Sequence, residues 1–412
     1  MKKTLLRQTI LAVEDREYIS KFIPRTEPKL PQDKELIKVC EPDLKDKELD
    51  NVIECVKSGW VSSQGKYVTD LEQRFAEYCG SQYAVSVTNG THALHLPLAA
   101  IDIQPGDEVI IPTFTMIATA NAVRYLGGIP VFVDARPDTW CIDETQIEAA
   151  ITAKTKAIII VHIYGNMTEM DTVIRIAKKH NLWLIEDAAE AHGAVYKGKK
   201  AGSIGDIGSF SFYANKMMTT GEGGIVITNN KELYALMYKL HNHAFADDIH
   251  FWHEYLGYNY RMTNLQAAVG CAQLERIDKH VDQRRQNAVL YMTLMKNLPG
   301  IQFPVEHNNT QNTYWMFGIV LQKEFPLSRD ALREYLAQHG IETRTFFIPM
   351  HFQPIYFTDQ KTAEKFPVAN ALCRNGLYLP SASTLSEKQI RFVCSVIANA
   401  SKLKKMSNMK TV

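Results

Sequence analysis

DIGSFSFYANKMMTTGEGG, residues 206–224, carries an alternating apolar run into a glycine-rich turn and leaves one lysine, Lys216, in that turn. The run over 208–213 is rich in Phe and Ser, which predicts a short buried strand, and Gly221, Gly223 and Gly224 break the chain before a second strand over 224–228. A lysine just beyond a strand end is ordinarily a solvated charge. Upstream, however, LWLIED at 182–187 runs four apolar residues into two acids, and a small-residue turn, AAEAHG, follows it. In open α/β sheets ligands bind at the carboxyl ends of the strands. Asp187 and Lys216 are therefore expected in one cleft.

An amine that can bond to an aldehyde, and a carboxylate that can keep a pyridine nitrogen protonated, are what a protein supplies to pyridoxal phosphate; the ring then accepts electrons from a carbanion. Acids at strand ends and lysines in loops are common, so the pair is suggestive rather than decisive. Longer stretches point the same way. IEDAAEAHGA at 185–194, SFSFYANKMMTTGEGG at 209–224 and GYNYRMTNLQAAVGCAQLERID at 257–278 resemble the sugar-nucleotide aminotransferases, fold-type I pyridoxal phosphate enzymes, and the likeness runs from about residue 41 to about residue 400.

The resemblance implies an α/β fold with a mostly parallel central sheet, helices on both faces and a smaller C-terminal α/β domain. It implies that Lys216 holds the cofactor covalently and moves the proton, and that Asp187 faces the pyridinium. Backbone groups of Gly90, Thr91 and His92, with the Ser211 hydroxyl, would hold the phosphate; of His92 only the N–H is expected to matter. Glu190 joins the cofactor set at a position where many relatives have Gln or His. Met116 stands where relatives place an aromatic over the ring, and a thioether can cover a ring face. Asn259 matches an asparagine that reaches a partner's cofactor phosphate, which implies a homodimer with shared active sites. Trp60, Tyr314, Arg344 and His351 are expected toward the substrate. The implied reaction aminates a nucleotide-linked 4-keto-6-deoxy sugar, with GDP as the expected nucleotide, UDP or dTDP as alternatives, and glutamate as donor.

The residues themselves allow plainer accounts of several of these positions. VTNGTHALHLPLAA at 87–100 opens a helix after a strand over 83–87. Helix N-termini bind phosphate, but Thr and Asn there are also good caps. Met116, in PTFTMIATAN at 112–121, reads equally as core, Trp60 as an exposed residue packing a loop down, and Asn259 as a turn residue. Further strands are expected over 108–112, 130–134, 157–164 and 182–187, alternating with helices such as 169–180 and 231–240, the βαβ rhythm of a covered parallel sheet. After a charged, solvated helix over 275–290, a second domain is expected with strands over 314–321 and 341–347 and helices over 328–340 and 386–400. The expected division is an extension over 1–35, a large cofactor-binding domain over 36–275, a small domain over 276–405 and a tail over 406–412.

The chain has 412 residues, 46% hydrophobic and 22% charged, with a net charge of +1. That balance offers no electrostatic footprint for nucleic acid or a membrane surface. Seven widely spaced cysteines without a CxxC pair suggest neither a disulfide framework nor a zinc knuckle and fit a reducing cytoplasm. Arg7, Gln8, Glu14, Asp15 and Arg16 interrupt the start of the chain, so no signal peptide is expected, and no run of about 20 apolar residues suggests a membrane span. The histidines and aspartates of HNHAFADDIHFWHEY at 241–255 lack metal-ligand spacing and are expected in a solvated loop; no metal is implied. Two other classes fit less well. A nicotinamide dehydrogenase would need a GxGxxG opening a helix, whereas GSIGDIG at 202–208 leads into a strand, and a ligand-sensing regulator would carry a DNA-binding element. The dehydratase branch of the resembled family carries histidine in place of the lysine.

Overall fold

The computed structural model describes residues 9–24, 27–32, 35–249 and 251–403. Its centre is a seven-stranded sheet in the order Tyr83–Val87, Gly224–Thr228, Ile207–Ser211, Trp183–Asp187, Thr155–Val161, Glu108–Pro112 and Ile129–Val133. Gly224–Thr228 runs antiparallel to both neighbours, and the remaining pairings are parallel. The sheet is covered on both faces, so its strands are apolar on both. Ile158 and Ile160 enter one core, with Leu71 and Phe75 of helix Lys66–Cys79. Ala157 and Ile159 enter the other, with Leu94 and Leu96 of helix Gly90–Ala100. This alternation of period two, buried in both directions, is why the strand segments read as continuous apolar runs. Each fully buried Ile contributes about 1.5–3 kcal/mol.

A second, four-stranded sheet joins Ile301–Gln302, Phe317–Leu321, Gly376–Leu379 and Arg344–Thr345, all antiparallel. Helices Ile277–Met295, Arg329–Gln338 and Glu387–Ala400 pack on it around Tyr291, Leu336 and Val393. The expected strand over 341–347 joins this sheet at Arg344 and Thr345, with a separate bridge from Ile341 to Ile37, and the chain then turns through Pro349 into the short turn Met350–Phe352.

Two expectations about solvated charge are corrected. Helix Ile277–Met295 is not solvated all round: Arg284 is 3% exposed and donates through Nη1 to the Trp315 carbonyl, while Arg285 reaches Glu306 at 2.7 Å. These arginines tie the helix to the turn before Phe317–Leu321. In the histidine-rich loop, His241 is buried with Nδ1 on the Tyr238 carbonyl, and burial holds its imidazole down to about 4. His253 is exposed on the same loop, and His250 lies outside the described residues. The expected extension carries a helix that packs on the rest of the chain. Helix Val13–Ser20 and the turn after it pack Tyr18, Ile19 and Phe22 against Phe352. Residues 404–412, which include the expected tail, lie outside the described residues. Among the described residues no helix is long and apolar enough to cross a membrane.

Candidate active site

Ser211 pairs with Gly224 on the last rung between two antiparallel strands, so residues 212–223 form a hairpin loop over the carboxyl edge of the sheet. The loop is pinned at its base by Phe212 N–H to the Gly223 carbonyl at 2.8 Å and Thr220 N–H to the Phe212 carbonyl at 3.0 Å. Gly221 turns it at φ +82, a conformation costly for a side chain. Beside Lys216, the Asn215 carbonyl accepts from Trp315 Nε1 at 2.7 Å and from Cys40 Sγ at 3.3 Å. Lys216 is thereby aimed inward, and its side chain is only 12% exposed.

Its Nζ lies 3.8 Å from Glu190 Oε1 and 3.9 Å from the centre of the Trp315 ring. Burial lowers the affinity of this amine for its proton, with Glu190 and Asp187 pulling the other way. A buried amine with a depressed pKa is the form that attacks an aldehyde. Burial pushes the Glu190 carboxyl up to about 7 against the pull of Lys216, and its Oε2 accepts the Tyr164 N–H at 2.7 Å. Asp187 ends its strand buried. Burial raises its carboxyl too, opposed by the Thr119 hydroxyl at 2.8 Å and the Ala189 N–H at 3.2 Å. A cation placed against Asp187 would relieve that burial penalty.

At the other end, helix Gly90–Ala100 starts against Ser211. A Cβ on Gly90 would come within 2.7 Å of Ser211 Cβ, and one on Gly224 within 2.6 Å of the Asn89 carbonyl oxygen. Two glycines thus let three segments converge around a helix N-terminus where a phosphate is favoured. Asp187, Glu190, Lys216, Gly90, Thr91 and Ser211 all line one cavity of about 440 Å³. A covalent amine, a carboxylate for a ring nitrogen and a glycine-lined helix start, in a cleft of this size, fit pyridoxal phosphate.

Met116 caps the helix Ile117–Tyr125 and lines the same cavity, as does Arg344 from the second sheet. Other expected residues stand apart from it. His92 stacks its ring on Tyr260 at 3.7 Å and gives its N–H to Asn89 Oδ1 at 2.9 Å. That N–H is already engaged by the Asn89 cap. Trp60 is 57% exposed with its carbonyl on Asn264. Tyr314 is buried at φ +49 beside Phe317. His351 is 3% exposed, with Nδ1 at 2.7 Å from Thr113 Oγ1 and Nε2 at 2.7 Å from Asn370 Oδ1. Asn370 donates its own amide to Ala363, so its Oδ1 accepts and His351 Nε2 carries the proton. Asn259 is exposed outside the cavity, paired with Arg261 at 3.1 Å. Thr119 and Cys40 were not expected at the site. The spacing of Thr115 and Thr119, one helical turn apart below Met116, carried a signal for Thr119; nothing local pointed to Cys40.

A buried lysine facing two carboxylates, on a hairpin over the carboxyl edge of a mostly parallel sheet, defines the class of α/β enzymes that work through a lysine amine. The chain belongs to the DegT/DnrJ/EryC1/StrS aminotransferase family, whose profile matches residues 42–398, and its cofactor is pyridoxal phosphate. It is 44% identical over 361 residues to a GDP-perosamine synthase of Escherichia coli O157:H7, covering 88% of this chain and 97% of that one. It is 41% identical over 365 residues to a GDP-perosamine synthase of Vibrio cholerae, covering 88% and 99%. Among solved structures, S. venezuelae DesV superposes with a TM-score of 0.83 at 32% identity, covering 91% of this chain and 99% of that one. A putative sugar aminotransferase from Streptococcus pneumoniae in its PLP form superposes with a TM-score of 0.84 at 26% identity, covering 89% and 99%.

Proposed function

We propose that this chain aminates C4 of GDP-4-keto-6-deoxymannose to give GDP-perosamine, with glutamate as donor. The observation that carries the proposal is identity above 40%, over nearly their whole length, to relatives named GDP-perosamine synthase, joined to a cavity that holds the lysine such a transfer needs.

Bound pyridoxal phosphate supplies an aldehyde for amines and a ring that draws electrons from the carbon being deprotonated. Lys216 anchors it covalently. With the cofactor bound and the lysine displaced by the donor, the free Lys216 amine would take the proton from the donor's α-carbon and hold it for return on the other side of the transfer. The donor's nitrogen would stay with the cofactor while water supplies the oxygen of the departing keto acid; the keto sugar would then take up that nitrogen with loss of its carbonyl oxygen as water, and Lys216 would return a proton to C4. Asp187 would hold the ring nitrogen protonated, Glu190 would lie beside the ring with Lys216, and Met116, which lines the same cavity, would cover one ring face. Gly90, Thr91 and Ser211 hold the phosphate, and Asn259 reaches it from a second copy of the chain. Arg344 faces the acceptor. We further propose the division into a large domain over 36–275 and a small one over 276–405. A cytoplasmic setting is supported by seven cysteines that are all free.

The test compares GDP-, UDP- and dTDP-linked 4-keto-6-deoxy sugars as acceptors for the purified protein with glutamate. A site built to hydrogen-bond one base rejects another by about 10⁴-fold, so GDP is expected to stand out. Preference for UDP or dTDP would overturn the acceptor and leave the transamination in place.

A further inference from the structure

The family match begins at residue 42, and the perosamine synthases are matched over 97–99% of their own length while taking in 88% of this chain. The segment ahead of residue 42 is nevertheless fastened to the molecule at successive points. Phe22 meets the Phe352 ring at 4.8 Å. The Lys21 carbonyl accepts from Arg374 Nε at 3.1 Å, and the Phe22 carbonyl from Cys373 Sγ at 3.6 Å. Glu27 closes on Arg333, a side chain with no exposed surface whose other acceptor is the Thr343 carbonyl at 3.3 Å. Among the described residues Arg333 Nε and Nη1 have no acceptor, so Glu27 is the carboxylate that compensates a buried guanidinium.

Further along, Ile37 bridges to Ile341, and the Val39 N–H donates to Glu342 Oε2 at 2.9 Å. The segment bracketed by these contacts is the wall of the cavity. Thr343, gripped by Arg333, precedes Arg344; Arg344 pairs in register with Tyr378, and both line the cavity.

We infer that the described residues over 13–24, 27–32 and 35–40 form a strap that fixes the acceptor side of the cavity, and that Glu27 is a positioning residue acting through Arg333 and Thr343 on Arg344. The inference rests on the proposed placing of Arg344 toward the acceptor. Asp187 and Ser211 end strands of the seven-stranded sheet and Lys216 stands on the hairpin loop after Ser211, and among the described residues none of the three has a hydrogen bond or ion pair with Glu27 or Arg333. Loss of the Glu27 charge should therefore loosen the acceptor wall and spare the cofactor end.

The test uses Glu27→Gln, with Glu27→Asp as the conservative variant, in hydrogen-exchange measurements on the cofactor-free protein and in steady-state kinetics on the loaded enzyme. In Glu27→Gln, exchange over 341–352 should rise several-fold while that over 183–190 stays at the wild-type rate. The acceptor KM should rise about tenfold with kcat within about twofold. The rate at which donor alone converts the cofactor spectrum should not change, and Glu27→Asp should return most of the loss. Unchanged exchange over 341–352, an equal rise over 183–190, or a fall in kcat without a change in KM would each overturn the inference. The exchange measurement needs no substrate. If the acceptor assignment fails, the strap is still tested.

Discussion

His351 was expected toward the substrate and instead spends both ring nitrogens inside the protein, on Thr113 and Asn370, with its ring stacked on Phe366 at 4.5 Å. Burial holds its imidazole down to about 4, with the Asn370 hydrogen bond opposing. The sign of the consequence follows from proton counting. Between about 6.5 and 4 the unfolded chain carries a proton at this position that the folded chain refuses, so the residue's contribution to stability falls as pH drops through that window. His351→Gln removes the titration. At pH 7.5 the variant should be less stable by about 1–3 kcal/mol, for the disturbed buried hydrogen bonds, and the gap should narrow as pH falls from 6.5 toward 4. Urea melts of both proteins across that range are the measurement, and a gap that widens toward acid would show the histidine to be charged in the fold. Lys216 and Asp187 were legible because strand, turn and charge are local patterns. The fate of His351 depended on Thr113, more than two hundred residues away, and no local pattern announces such a partner.

At the scale of elements, strands buried on both faces were read nearly to the residue, since Tyr83–Val87, Glu108–Pro112 and Gly224–Thr228 have the expected bounds. The second sheet was read less well. GLYL at 376–379 is too short to show a period, yet Gly376–Leu379 is an inner strand of that sheet. The segment over 341–347 had the apolar content of a strand but joins the sheet at only two residues, with one separate bridge at Ile341. The start of helix Gly90–Ala100 was ambiguous between cap and phosphate site, and Asn89 is indeed a cap, accepting the His92 N–H. Gly90→Ala separates the two roles. The added methyl meets Ser211 at the mouth of the cavity, where flanking structure is held by the sheet. The variant should keep its circular dichroism and lose cofactor affinity by about tenfold, equivalent to about 1.4 kcal/mol, read by titrating the apoprotein with pyridoxal phosphate. Unchanged affinity would remove the helix start from the phosphate site.

At the scale of the whole molecule, one chain supplies a cavity with Lys216, Asp187 and Ser211 but leaves Asn259 exposed and outside it. The proposed shared site in a homodimer would give that residue its use. Mixing Lys216→Ala with Asn259→Trp under subunit exchange then gathers both lesions into one site of each hybrid and leaves the other site intact. With random pairing about a quarter of all sites are whole, so activity should return to roughly that fraction of wild type; no recovery, with hybrids shown to form, would place each site within one chain. The strap has a different consequence, in the order of biosynthesis. Phe22 is made about 330 residues before Phe352, on which it rests, an interval of about 15–70 seconds at ordinary synthesis rates. Through that interval Tyr18, Ile19 and Phe22 have no Phe352 to pack on, so the strap is ordered after the sheet that it crosses has been made.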